Sequence, residues 1–432
     1  MNNFNNHEGN CSLSSVALFE DRLRQEDIIG GYWEKINPIN SLDGTRVVEF
    51  AIKGNDDFID LHNCRIQMKI RIQNTDGTNL ASGKKIACIN YPIATLFEQV
   101  AVYLNNNLVT NTSNYAYKAY LETTLTYNDI AKKSWLQTGG YFKDTPGKMN
   151  VLDNSNAAFQ FRSSLLENSR TVELIGKIHS DLFNQERLLL NHVDLKLVFT
   201  RCADDFCLMA AAAEKVELEL VDAWLVVRRN TLASHKVNEV QLLLQKQDIR
   251  YFIPRVQVKT FTFATGLLNV NVRSSLTDSD LPNRIVVGMV SNTAYNGSQI
   301  LNPFRFHHYN MTSANITVDS KSVFGTPITL NVPTGQYMQA YWSLMSALGY
   351  NFRDDGCYIT RNEFDNGYFL ICADLSATLC NGQYNDPVQS GNLEIDLKFS
   401  AGLPETVNVI VYMEFNSTIT INSSRQVLKN FA

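Results

Sequence analysis

Several stretches carry residue types that could do chemistry, and each is tested by its spacing. Gly77 to Lys85 reads GTNLASGKK, with five residues between the glycines and Lys85 where a phosphate loop needs Ser or Thr for magnesium. A strand-connecting loop is expected there. Asp278 and Asp280 could share a cation, but SSLTDSDLPN is composed like a solvated turn. His62/Cys64 and Cys202/Cys207 offer nitrogen and sulfur ligands for zinc, yet neither has a companion pair at finger-like spacing. The eight cysteines, at 11, 64, 88, 202, 207, 357, 372 and 380, form no CxxC pair and are expected to be reduced, half-buried small hydrophobes. His307 and His308 adjoin in FRFHHYN; neighbours on a strand face opposite ways, so one packed and one exposed ring is expected. Asp144-Thr145 continues to Pro146 where an aspartic protease needs Gly, and neither HExxH nor GxSxG occurs. The expectation is no catalytic residue, no cofactor site and no metal site: not an enzyme.

Composition points the same way. The chain has 432 residues, is 44% hydrophobic and carries 38 basic against 43 acidic residues, a net charge of −5. That supplies one or two large cores and no basic surface for coating nucleic acid, so direct sequence-specific binding to nucleic acid is not expected. No run of eighteen apolar residues could span a bilayer. The first 21 residues lack a basic segment followed by an apolar one, so no secretory signal is expected, and Asn-x-Ser/Thr sites such as Asn111, Asn310, Asn315 and Asn416 are expected to stay bare.

The elements that would position any site are mostly strands. The stretches 47–54, 65–73 and 97–109 alternate apolar with polar, and Asn105-Asn106-Asn107 reads as a hairpin tip because Asn tolerates positive φ. Tyr117, Tyr120, Leu121 and Leu125 set a short helix over 114–128. Residues 129–170 are polar and irregular, a long excursion of the kind that carries contacts. Strands resume at 171–178, 193–199 and 216–227. Val237, Val240, Leu243 and Leu244 predict a linking helix with Ser234 as N-cap. Strands at 255–266 and 284–292 flank a Pro282-Asn283 turn, two more fall within 300–323, and a second helix covers 335–351. Leu393 to Phe415 reads as a strand pair hinged at Gly402-Leu403-Pro404.

Three markers recur in the same order. Asp194-Leu195-Lys196-Leu197 is echoed by Asp396-Leu397-Lys398-Phe399, roughly 200 positions on, the size of one large sandwich domain. Ala119-Tyr120 to Tyr127-Asn128 is echoed by Ala340-Tyr341 to Tyr350-Asn351, and ELIGKIHSDLF (173–183) by YFLICADLSATL (368–379). Ordered triplets point to duplication. About eight strands per half with one helix each suit the jelly roll, and the absence of βαβ alternation disfavours a doubly wound sheet. The fold expected is all-β, two tandem eight-stranded jelly rolls each with a short helix in a connecting segment. Its divisions are an N-terminal arm 1–29, a first jelly roll 30–230, a linker helix 231–250, a second jelly roll 251–428 and a C-terminal tail 429–432. Ser14 or Ser15 would cap a helical turn in the arm, exposing Phe19 and Leu23 for a neighbouring subunit. The rival reading is a non-catalytic β-sandwich module that binds carbohydrate or a receptor through Tyr- and Trp-rich loops.

In the second half, Arg284 to Asn292, Asn296-Gly297-Ser298, Asn302-Pro303-Phe304, His308-Tyr309-Asn310, Asn366-Gly367-Tyr368, Gly391-Asn392-Leu393 to Phe399, and Leu403 to Asn408 with Tyr412 and Glu414-Phe415 follow one pattern. So do Phe58 to Leu61, Leu104-Asn105, Tyr117 to Glu122 and Lys143-Asp144-Thr145 with Gly147 and Met149 in the first. Over roughly residues 30–428 this resembles the double jelly-roll major capsid protein of Polinton/Maverick elements and adintoviruses. The resemblance implies a homotrimer forming a pseudo-hexameric capsomer that tiles an icosahedral shell around double-stranded DNA. The implied partners are the chain itself, neighbouring capsomers and a minor (penton) capsid protein, and the implied place is the virion capsid, made in the host cytoplasm and assembled there or in the nucleus. It leaves an internal membrane undetermined. The arm through Leu23 and Arg24 departs from the proline-containing form of the family, and Cys357 and Cys380 fall in its variable loops. In that role the loops 129–170 and 376–392 would be towers or intersubunit clasps, with Tyr141 and Phe142 as contacts.

Overall fold

The computed structural model describes residues 25–211, 214–273, 276–277, 280–379 and 386–430. The arm up to residue 24, with its capping turn, Phe19, Leu23 and Cys11, lies outside the described residues, as do Asp278, Cys380 and the last two residues of the tail.

Beside the short paired strands Ala87–Cys88 and Leu208–Met209, eight strands build the first half among the described residues: β1 (Ile28–Ile36), β2 (Val47–Ile52), β3 (Phe58–Asn74), β4 (Phe97–Leu104), β5 (Asn107–Ser113), β6 (Val172–Lys177), β7 (Leu195–Arg201) and β8 (Val216–Leu232). They form two antiparallel sheets with the orders β1-β8-β3-β6 and β2-β7-β4-β5. The second half has β9 (Ile249–Phe263), β10 (Asn269–Val272), β11 (Arg284–Ser291), β12 (Met311–Val318), β13 (Lys321–Ser322), β14 (Leu370–Asp374), β15 (Leu393–Phe399) and β16 (Val407–Ile421). Their sheets run β9-β16-β11-β14 and β10-β15-β12-β13, with a short strand at Ile328–Thr329 beside β12 and one at Val427–Asn430 beside β16. Adding eight to each first-half label reproduces the second half, which is two jelly rolls in tandem.

Period-two alternation explains the long strands. In β3, Ile66, Met68, Ile70 and Ile72 point into the core, while outward Arg71 and Gln73 meet Glu219 and Glu217 on β8. Strands β15 and β16 do not pair with each other as the sequence suggested. They lie in different sheets, and the Gly402-Leu403-Pro404 segment carries the chain across the sandwich. β7 and β8 are separated in the same way.

Two hairpins give the clearest proof that the halves correspond. Asn105 and Asn106 between β4 and β5 have φ 46° and 65°; Asp319 and Ser320 between β12 and β13 have φ 48° and 67°. Both are two-residue turns with positive φ at both central residues, the conformation whose twist matches the right-handed twist of the flanking strands. The Asn105 N–H donates to the Asp194 carbonyl at 2.9 Å and its side-chain oxygen accepts from Asp194 N–H at 2.8 Å; the Asp319 N–H donates to the Asn392 carbonyl at 3.0 Å and its carboxylate accepts from Asn392 N–H at 2.9 Å. The counterpart of Asp194 is therefore Asn392, four residues before the Asp396 that the sequence echo aligned. An even slip keeps the apolar face inward, which is why the echo still looked in register.

Helix α1 (Tyr115–Thr126) and helix α4 (Met338–Ala347) occupy the same connection in the two halves, between the fifth and sixth strands of each. Residues 129–170, expected to be irregular, contain helix α2 (Ala157–Leu166), whose cap Asn156 accepts from the Phe159 N–H. Helix α3 (Ser234–Leu244) links the halves; its N-cap is Ala233, not Ser234, and of its residues only Leu244 is buried.

Candidate functional site

A concentration of buried polar chemistry lies along the seam where the two jelly rolls meet inside the chain. α1 forms its centre. Ten of its twelve residues are buried, so the helix is covered all round. Tyr120 lies flat on Phe304 with centroids 4.1 Å apart and planes at 6°, while Tyr117 and Phe206 meet Phe304 edge-on. The Tyr117 hydroxyl donates to the Pro303 carbonyl at 3.0 Å. Phe304, from the loop between β11 and β12, is thus a plug from the second unit seated among aromatic rings of the first.

Charges fasten the same seam. Lys118 on α1 pairs with Asp181, both essentially without solvent exposure, and Asp181 also accepts the Val256 N–H of β9 at 3.3 Å. Burial pushes the Asp181 carboxyl up against the pull of Lys118. Asn114 donates to the Val258 carbonyl at 3.2 Å, so two side chains of the first unit cap the outer edge of β9. Burial alone would raise the Glu122 carboxyl; Lys177, His179 and Lys118 together hold it well below the usual range. Burial lowers His179, whose Nε2 lies 3.0 Å from the Tyr91 hydroxyl.

Asp144 is the second hub. Its carboxylate accepts from Arg162 Nη2 at 2.8 Å, Asn156 at 3.3 Å and Asn302 at 3.1 Å, and its carbonyl accepts from the Tyr368 hydroxyl at 3.2 Å. Arg162 spends its other two nitrogens on the Cys88 and Phe142 carbonyls, each at 3.0 Å. Nearby, Lys132 donates to the Thr124 and Cys357 carbonyls at 2.6 Å, burial pushing its ammonium down to about 8, and Lys143 pairs with Glu363 at 2.8 Å. Residues 129–170 are therefore a clasp within one chain. Tyr141 is wholly buried and Phe142 half-buried against Phe161, which removes Tyr141 as a surface contact.

The residues singled out for chemistry are scattered. His62 is exposed and Cys64 buried, because β3 bulges between Asp60 and Arg65 instead of alternating regularly. Cys202 and Cys207 are both buried; burial pushes the thiols of Cys64 and Cys88 up to about 12, far from the thiolate a metal needs. His307 and His308 are not opposed. They sit outside the strands and their rings stack at 4.6 Å, each Nδ1 accepting a backbone N–H two residues on, from Tyr309 and Asn310. Asp280 forms an isolated bridge with Ser390, and in the Gly77–Lys85 loop Lys84 pairs with Glu214 while Lys85 donates to Asn154 at 3.1 Å. Among the described residues no group of three or more His, Cys, Asp or Glu side chains is placed to hold a metal ion, and no helix is long and apolar enough to cross a membrane.

Sequence reasoning did not single out Lys118, Asp181, Arg162 or Phe304 as seam residues. A lone Lys inside YAYKAYLE was the available signal, since a cation in an apolar helix needs a partner. Asp181 also lines a small groove with Thr110, Arg255 and Gln257; the other contacts of the arrangement join the two sandwiches to each other.

No protein-family model matches the chain. It is 25% identical over 416 residues to uncharacterized protein F54H12.2 of Caenorhabditis elegans, covering 91% of this chain and 95% of that protein. Among solved structures it is similar to the Sputnik virophage structure determined by cryo-EM (TM-score 0.66, 13% identity, 99% of this chain and 94% of that one). It is similar to the PBCV-1 virus capsid (TM-score 0.59, 13% identity, 96% and 99%) and the mavirus major capsid protein (TM-score 0.57, 10% identity, 97% and 93%). These neighbours are double jelly-roll viral major capsid proteins, and the likeness establishes that fold for this chain.

Proposed function

We propose that this chain is a structural, non-catalytic major capsid protein, whose three copies form a pseudo-hexameric capsomer that tiles an icosahedral shell around double-stranded DNA. The observation that carries the reading is the duplicated strand order held rigid by the intrachain seam. Two like units fixed side by side let a three-fold ring present six near-equivalent edges, so one gene product can tile a closed surface. In this reading 30–230 and 251–428 are the two units, 231–250 their linker, 1–29 an arm and 429–432 a tail. Neighbouring capsomers and a minor penton protein are the partners, and the virion shell is the location.

The Polinton/Maverick and adintovirus assignment rests on the motifs quoted above and is supported by a full-length relative in an animal, Caenorhabditis elegans, together with a capsid fold. That pairing favours an element carried in animal genomes. Purified protein examined by native mass spectrometry and electron microscopy is expected to give trimers and hexagonal plates or closed shells. A monomer at high concentration that forms no assemblies would refute the reading.

A further inference from the structure

The loop between β11 and β12 that carries Phe304 into the seam ends in a turn closed by two imidazoles. The Tyr309 N–H donates to His307 Nδ1 at 2.9 Å, and the Asn310 N–H donates to His308 Nδ1 at 3.0 Å. Tyr309 and Asn310 sit at φ 45° and 50°, a region that a bulky side chain adopts only where its surroundings hold it. Two more bonds tie the turn down: the Met311 N–H donates to the His308 carbonyl at 2.9 Å, and the Tyr309 hydroxyl donates to Glu405 at 2.9 Å. Upstream, the Phe304 N–H donates to the Asn302 side-chain oxygen at 2.9 Å and the His307 N–H to the Met289 carbonyl of β11 at 2.9 Å. The turn and the plug are therefore parts of one short loop.

An imidazole whose Nδ1 accepts a hydrogen bond is neutral and carries its proton on Nε2. A second proton can go only to Nδ1, so proton uptake and the backbone bond exclude each other. The rings also stack, with centroids 4.6 Å apart and planes at 27°, so charging both sets two cations face to face. Both are half-buried, which leaves them within reach of solvent protons. Arg305 on the same loop opposes protonation of either ring, and Asp365, ahead of β14, favours it at His308. Glu405 reaches the turn through Tyr309, and the Phe369 ring packs against His308. We infer that the paired histidines are an acid-operated latch on this loop: a proton taken up at either Nδ1 breaks the turn that ring closes, and the loop then withdraws Phe304 from the rings of Tyr117 and Tyr120. Hydrogen bonds are the only bonds broken, and the proton comes from solvent. The seam is closed at its aromatic end at neutral pH and loosened there in acid. The device lies within one chain and does not depend on the capsomer reading.

The test is hydrogen exchange read by mass spectrometry on the full chain at pH 7 and pH 5, with rates corrected for the chemical effect of pH, for the wild type and the double variant His307→Asn/His308→Asn. An Asn side-chain oxygen accepts the N–H two residues on and closes the same turn without titrating. In the wild type, protection over 304–311 is expected to fall about 20-fold from pH 7 to pH 5, the change for a histidine at 6.5 in the open loop and at about 4 in the closed one, as for His307. It is expected to stay below the protection of β3 over 65–73 at both pH values, as it must where the loop opens by itself. In the double variant the fall is expected to vanish. An unchanged wild type, an equal fall in the double variant, a fall confined to 309–311 with 304–306 as protected as before, or loop protection equal to that of β3 would each overturn the latch. Should the double variant not fold, H307N and H308N carry the comparison singly: each is expected to show a smaller fall than the wild type, and a full fall in both overturns it.

Discussion

Removing the Asp144 carboxylate tests whether the seam is a fastening or an incidental contact. Asp144 and Arg162 are 1% and 2% exposed, 2.8 Å apart, and Arg162 has no other anion within ion-pair distance among the described residues. Breaking a buried pair from one side costs about 3–5 kcal/mol, because the remaining charge stays desolvated and unpaired. Asp144→Ala also orphans the Asn302 amide, which has only the Met149 carbonyl at 3.4 Å as a second acceptor. The expected loss is thus at the upper end of that range. Arg162→Met alone leaves the carboxylate with the two amides and should cost less. The double variant should cost about 1–4 kcal/mol less than the sum of the singles, since an apolar pair of similar volume removes both desolvated charges. Urea unfolding of the four proteins at pH 7, at a concentration where all are monomeric, supplies the cycle. A coupling below about 0.5 kcal/mol, the additivity limit for independent sites, would refute the claim that this pair holds the clasp.

Phe304→Ala removes the aromatic plug and should destabilise by about 3–5 kcal/mol, read as an earlier urea midpoint and as new protease cutting in 297–310. A loss under about 1 kcal/mol would mean that the rings of Tyr117 and Tyr120 close over the gap. Burial, with His308 and Arg305 adding to it, holds His307 down to about 4 from 6.5, and His308 is lowered by burial with Asp365 opposing; through Tyr309 the pair also neighbours Glu405. A depressed histidine contributes stability that is complete above about 6.5 and is lost as pH falls toward 4, on the order of 3 kcal/mol for His307. His307→Asn should flatten the acid limb of a urea-midpoint profile between pH 7 and pH 5, and an unchanged profile would sink the assignment. Cys64, Cys88, Cys202, Cys207, Cys357 and Cys372 should resist iodoacetamide in the native protein at pH 8 and react fully in urea. Rapid labelling of any of them in the folded protein, located by peptide mass mapping, would contradict their burial.

The alternating runs predicted most strands, because a sandwich buries one face of each and a period of two is written directly in residue type. The helix at 114–128 was legible from the three- and four-residue spacing of Tyr117, Tyr120, Leu121 and Leu125, although it is buried on every side. What misled was local resemblance. The Asp-Leu-Lys echo aligned Asp194 with Asp396, whereas the reciprocal hairpin bonds pair Asp194 with Asn392, and short polar residues at a turn carry that information without an identity to reveal it. The two runs around Gly402 looked like a hairpin because nothing in a strand's composition says which sheet it joins.

Composition, alternation and the recurrence of elements were enough to determine two similar β units, since those properties depend only on which residues follow which. The seam was decided in three dimensions. Asp181 and Val256, Asp144 and Asn302, Tyr120 and Phe304 are far apart in the chain, and their pairing energies exist only once water is excluded from between the two sandwiches. Desolvation is a property of the packed interface, so no reading of one residue beside the next could have assigned it.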